Sequence, residues 1–261
     1  MNIEKLFEKE LRAYFASHTG ISPNKLDDVM VAVYKKWSDK PLAELDGKSP
    51  RQYVNGITDP ETLVEYAMES VRTGGEPSPL FMEKILATAG CDNALKKVLF
   101  SDEKDEVRKT SAELLARIDK LPIDESVELI FDPDVSYELR ETVIGLLDKS
   151  KELAQRLLPR IGETEGNARF ILAELLAGSG VHDDRIFELL IEVLEVNIPY
   201  GAQLLSAYDD PRAIELLSEK AETCDYADYI ELRNAVEALG GELTLRFNWD
   251  NDSSYKKIKG E

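Results

Sequence analysis

Two cysteines, two histidines and two tryptophans among 261 residues leave little equipment for covalent, metal or redox chemistry. Cys91 and Cys224 stand 133 positions apart, which excludes a disulfide scaffold and a zinc knuckle. Neither His18 nor His182 has a partner at i, i+4, so neither has the spacing of a zinc ligand. His182-Asp183-Asp184 is more simply a loop ending in a helix N-cap before Arg185. Asp250-Asn-Asp252 imitates the start of a calcium loop, but Tyr255 occupies the place that needs glycine. Gly-rich phosphate loops, Gly-x-Ser-x-Gly elbows and recognisable Cys–His pairs are missing as well. An enzyme, a cofactor and a resident metal are therefore not expected. No run of about 18 apolar residues occurs, which speaks against a membrane-spanning helix. The opening MNIEKLFEKELR lacks the apolar stretch of a secretory signal, and a cytoplasmic location is expected.

Positive charge is also scarce. Lys and Arg number 32 against 51 Asp and Glu, a formal charge of −19. The excess is local: residues 91–240 hold 33 acidic and 17 basic side chains, whereas residues 1–90 hold 14 and 11. Nucleic-acid binding needs cations that displace counterions from phosphates, so this segment is unsuited to it. A basic protein surface is its natural complement.

What the chain does have is helical punctuation. Six of its eleven prolines follow Ser or Asp: Ser22-Pro23, Ser49-Pro50, Asp59-Pro60, Ser78-Pro79, Asp132-Pro133 and Asp210-Pro211. A Ser or Asp N-cap accepts from an orphan amide, and proline at the first helical position needs no donor. Ser49-Pro-Arg-Gln52 is in addition a capping box. Between these signals apolar residues recur at helical spacing, as at Leu139, Val143, Ile144, Leu146 and Leu147. Alternation of period two appears only near 243–249. The fold class expected is all-α: an N-terminal helical bundle over 1–90, a helical array over 91–240 and an extended tail over 241–261.

The array repeats. Helices beginning Val107-Arg108, Leu139-Arg140, Ala168-Arg169 and Leu232-Arg233 superpose on their arginines, separated by 32, 29 and 64 residues. The fifth copy falls at Tyr200-Gly201, with glycine in place of arginine. Each is preceded by a further amphipathic helix, giving about five helix pairs with a period near 31 residues. Those arginine starts, the small residues Ala112, Gly145 and Ala173, and Asp-Asp-Pro-Arg-Ala-Ile-Glu-Leu-Leu at 209–217 resemble the HEAT-like repeat family, especially the short repeats of phycobilin lyase subunits. The resemblance implies an α-solenoid and carries no catalytic residues, so lyase activity does not follow from it. Asp102, Asp134 and Glu163 each precede an arginine of the column by six residues. A ladder of charge-assisted bonds from these carboxylates to Arg108, Arg140 and Arg169, with Arg233 last in the column, is expected to fix the inter-helix turns.

The partner surface follows from the same charge map. Tyr200, Gln203, Tyr208, Tyr226, Tyr229 and Glu231 lie in the acidic C-terminal part of the array, where rings supply contact area and carboxylates supply steering. The function expected is a non-catalytic adaptor or regulator that binds a protein or peptide with a basic surface, without nucleic acid or membrane. One alternative is a ligand-binding or lyase-like enzyme subunit with a pocket between the N-terminal bundle and the solenoid. Trp37…Pro41-Leu42…Leu45…Ser49-Pro50 also looks like a short motif of the toxin-binding domain of some antitoxins, and an antitoxin-like inhibitor is the other alternative. The simpler account of that motif is a corner whose Leu42 and Leu45 plug the core.

Overall fold

In a computed structural model of the chain, residues 3–18, 21–147, 151–243, 249–250 and 252–259 are described. Among these residues every regular element is helical and no strand occurs. The chain divides into two compact units, Met1–Leu147 and Asp148–Glu261.

The first unit opens with α1 (Ile3–Ser17) and α2 (Leu26–Ser38), which pack on each other. Then come α3 (Pro50–Asn55), α4 (Pro60–Arg72), α5 (Pro79–Ala87), α6 (Cys91–Leu99), α7 (Asp105–Arg117), α8 (Ile123–Phe131) and α9 (Tyr137–Leu146). Packing runs on across residue 90, because α4 lies against both α6 and α7. The pairs α6/α7 and α8/α9 are joined through contact of α7 with α9. Apolar positions of the predicted stripes form the core: Leu63, Met68, Phe81, Leu95, Leu115 and Leu139 are all buried. Burying a side chain of this size stabilises by about 1.5–3 kcal/mol each, before conformational entropy is set against it.

Proline punctuation works at half of its sites. Ser49 accepts from the Gln52 amide at 3.2 Å while the Gln52 side chain accepts from the Ser49 amide at 3.0 Å, completing the capping box. Asp59 and Ser78 cap α4 and α5 through the amides of Thr62 and Phe81. Ser22 makes no side-chain cap bond. Asp132-Pro133 ends α8, and Ser136 caps α9 instead. Asp210 turns back onto the amide of Arg212, just before the helix that follows. In the corner at 37–50, Trp37 and Leu45 are 1% and 2% exposed and Leu42 is half-buried, while residues 39–41, 43–44 and 46–48 are exposed.

The second unit contains α10 (Lys151–Leu157), extended by a 3-10 turn over Leu158–Gly162, then α11 (Asn167–Ala177), α12 (Asp184–Val196), α13 (Ile198–Tyr208), α14 (Ala213–Ala221), α15 (Tyr226–Ala238) and α16 (Ser253–Lys259). Here α11 packs on α13 and α13 on α15, while α12 and α14 pack beside their partners. The tail departs from the expectation of an extended segment: Ser253–Lys259 is helical and lies against α15. Most of the strand expected at 243–249 falls outside the described residues.

Candidate functional site

Arg108, Arg140 and Arg169 each lie in the first turn of a helix, and their partners differ from those expected. Arg108 donates from Nε to the carbonyl of Leu99 at 2.9 Å, at the end of α6. Arg140 donates to the carbonyls of Asp132 and Val135 at 2.9 and 3.1 Å, closing α8. Arg169 donates to Ile161 and Thr164 at 2.6 and 3.3 Å, closing the 3-10 turn after α10. Leu99, Asp132 and Ile161 lie at the end of the preceding helix or turn, where orphan carbonyls and the helix dipole favour a cation, while Val135 and Thr164 lie beyond it in the inter-helix turn. Asp102, Asp134 and Glu163 are exposed and are not the acceptors; the six-residue spacing is a by-product of turn length. The carboxylates that do meet the column are Asp105, 3.8 Å from Arg108, and Glu192, which takes Nε of Arg169 at 2.7 Å. Arg233 departs from the pattern: its Nε lies 3.5 Å from Glu237, one turn along its own helix.

Glycine at the fifth register position has a steric cause. A Cβ on Gly201 would lie 2.3 Å from Cα of Leu194 and 2.5 Å from its backbone nitrogen. Helices α12 and α13 thus approach backbone to backbone, and any side chain there would separate them. Gly145 shows the opposite case, with nothing within 4 Å of an added Cβ. Ala112 and Ala173 are fully buried, whereas Gly145 is exposed.

The tyrosines of the acidic region divide into two groups. Tyr208 is 3% exposed; its hydroxyl accepts from the amide of Asp183 at 2.8 Å and lies 3.1 Å from the Asp183 carbonyl. Burial pushes its phenol above the ordinary range. Tyr229 is 9% exposed, with the Trp249 ring 5.4 Å away. Both rings belong to the core, where the sequence pattern counted them as surface. Tyr226 is half-buried under the tail, its ring 4.7 Å from Tyr255 and 5.4 Å from Trp249. Tyr200 is half-buried, with its hydroxyl 3.2 Å from Glu174, while Gln203 and Glu231 are exposed. The tail completes the start of α15: Asp252 and Ser254 accept from the amides of Tyr226 and Ala227 at 3.4 and 3.2 Å. Beside this junction burial and the neighbouring Asp225 raise the Asp228 carboxyl above its ordinary value. Lys256 and Lys257 of α16 are exposed.

Two loops of the same unit are fastened by carboxylates. Asp183 is held bidentately by Arg185 at 2.9 and 2.8 Å, which draws its carboxyl down to about 2. Asp210 is gripped by Arg212, which also reaches Asp184 at 2.8 Å and lies 4.4 Å over the Phe187 ring. The Asp-Asp-Pro-Arg motif thus ties the end of α13 to the start of α12.

In the first unit a cleft of about 640 Å³ opens between α2 and the segment 76–80. Glu4 in an amphipathic first helix looks like any solvated charge, so the cleft is not legible in the sequence. The cleft lies within the N-terminal bundle. Glu4 accepts from the amide of Ser78 at 3.1 Å, and its second oxygen is buried without a hydrogen-bond partner. Burial raises the Glu4 carboxyl above the usual range. Tyr34, Phe7 and Trp37 form an edge-to-face cluster beside it, with ring centroids 4.9 to 5.5 Å apart.

Among the described residues no group of three or more His, Cys, Asp and Glu side chains converges as a metal site, and no helix is long and apolar enough to cross a membrane. Cys91 is buried and Cys224 half-buried, and burial raises both thiols. Family models, curated proteins and solved structures give no match to this chain.

Proposed function

We propose that the protein is a non-catalytic adaptor or regulator built from HEAT-like helix pairs, and that its acidic second unit takes a basic, aromatic-bearing segment of another protein. Support for the repeat comes from the guanidinium-to-carbonyl bond at three junctions and from the contacts of α11 with α13 and of α13 with α15. A lone helix pair cannot cover both of its apolar stripes, so such pairs lean on their neighbours.

One observation carries the binding reading: the chain's own lysine-bearing α16 lies on α15, seated through Trp249 and Tyr255 against Tyr226. A surface whose aromatic seat already holds a basic segment in cis suits the same chemistry in trans, with Glu231 and Gln203 exposed in the same unit. The tail is then the first occupant, and a partner adds beside it or replaces it.

Affinity capture by the full chain at low and at high salt tests this. Basic proteins are expected on the resin at low salt and are lost as salt screens the field. Glu231→Lys weakens the capture, and removal of residues 249–261 strengthens it. Retention that ignores salt, or retention of acidic proteins alone, would count against the proposal.

A further inference from the structure

The cleft of the first unit has a chemistry of its own, independent of the acidic surface of the second. We propose that it binds a small organic amine: an apolar body carrying an ammonium group that pairs with Glu4. At about 640 Å³ the cleft is in the range of small-molecule sites, and its walls are mainly apolar. Met30, Val31, Pro77 and Leu80 line it, and Val31 is 68% exposed, a large apolar surface with nothing over it.

Polarity converges at one end. Glu4 is fixed there by the amide of Ser78, yet has a second oxygen that is dry and unpartnered. An unmet buried acceptor costs about 1–3 kcal/mol, more when charged, and a ligand donor removes that cost. Glu4 lines the cleft, which places its carboxyl group beside a ligand held there. The Tyr34 and Phe7 rings also line the cleft, and an aromatic ring attracts a cation over its face.

The cleft's other charges are Lys35, Glu76, Glu83 and Arg51, of which the first three are exposed. Arg51 is committed to Asp39 at 2.8 Å and to the Ser38 hydroxyl at 3.1 Å, with Glu83 at 4.0 Å. An anionic ligand would therefore find the cleft's guanidinium already paired, only the exposed Lys35 as a cation, and carboxylates at Glu4, Glu76 and Glu83. A neutral apolar molecule would fill the walls and leave the Glu4 oxygen unmet.

Three isosteric probes separate these cases on the full chain by titration calorimetry: 4-phenylbutylamine, 4-phenylbutanol and 4-phenylbutyrate. The amine is expected to bind at least ~tenfold more tightly than the alcohol, and the carboxylate to bind more weakly than either. Glu4→Gln keeps an acceptor for Ser78 and is expected to erase the preference for the amine while leaving alcohol binding in place. Met30→Trp fills the cleft and lowers the affinity for all three. Equal affinity of the unmodified protein for amine and alcohol overturns the proposal and requires no variant to fold. Failure to bind the amine at millimolar concentration overturns it too, as does a folded Glu4→Gln protein that retains the wild-type preference.

Discussion

The junctions at Arg108, Arg140 and Arg169 and those around residues 181–185 and 208–213 solve one problem with different chemistry. In the first group a guanidinium donates to carbonyl oxygens at the end of the preceding helix. In the second, arginines grip carboxylates, Arg185 on Asp183 and Arg212 on Asp210. Between the two junctions of the second group lies Gly201, where the register position has no side chain because Leu194 leaves no room for one. A repeated sequence position thus does not imply a repeated interaction. It marks where two helices meet, and the local distance between them decides what can stand there.

The comparison is broken most readily at Gly201. Gly201→Ala forces α13 away from α12 and is expected to destabilise the protein by about 3 kcal/mol, measured by denaturant unfolding, as overpacking of a tight core does. A cost under about 0.5 kcal/mol, typical of an open surface site, would show that the close approach is not needed. Next in size is Arg140→Ala, which removes a donor from the Asp132 carbonyl after α8 and from the Val135 carbonyl in the following turn, and is expected to cost about 1–2 kcal/mol. Ser49→Ala removes one half of the capping box at α3 and is expected to cost about 1 kcal/mol, with the thermal midpoint as readout.

The carboxylate-tied loops differ from the column in their response to pH. Asp183 has a folded pKa of about 2, below its ordinary value of 3.8, so its ion pair stabilises the fold above the ordinary value and that contribution is lost as pH falls toward 2. Solvent at this partly exposed pair keeps the effect small. Thermal melts of wild type and Asp183→Asn should therefore differ by a constant amount above about pH 5 and converge as the pH falls through about 2. A gap that persists into strong acid would assign the contribution to capping alone. Smallest of all is Asp134→Ala: with its carboxylate outside the column's bonds, a change within about 0.5 kcal/mol is expected in the same melts. A loss equal to that of Arg140→Ala would restore the carboxylate ladder.

Helices, their order and the arginine register are legible in the sequence because each follows from local rules: a capping residue, a proline, an apolar period. The acceptors of the column are not, since every residue has a carbonyl and no spacing singles out Leu99 or Asp132. Tyr208 shows a similar limit: an aromatic ring among acids looks like surface until the Asp183 backbone takes its hydroxyl. The tail helix is hidden because its seven residues are too few to be stable alone; Asp252 bonds and aromatic contacts with α15 hold it. The cleft is hidden because Glu4 and Ser78 are 74 residues apart, and only their meeting makes either unusual.

The carbonyl-tied junctions have a consequence for the molecule in acid. A guanidinium has no proton to release and an amide oxygen none to gain in that range, so these fastenings are indifferent to pH. The acidic coat outside them is not. Titrating a chain with 51 acidic side chains removes the repulsion between molecules well before it loosens the frame. Mild acid should therefore make the protein come out of solution still folded, and neutral buffer should return it intact.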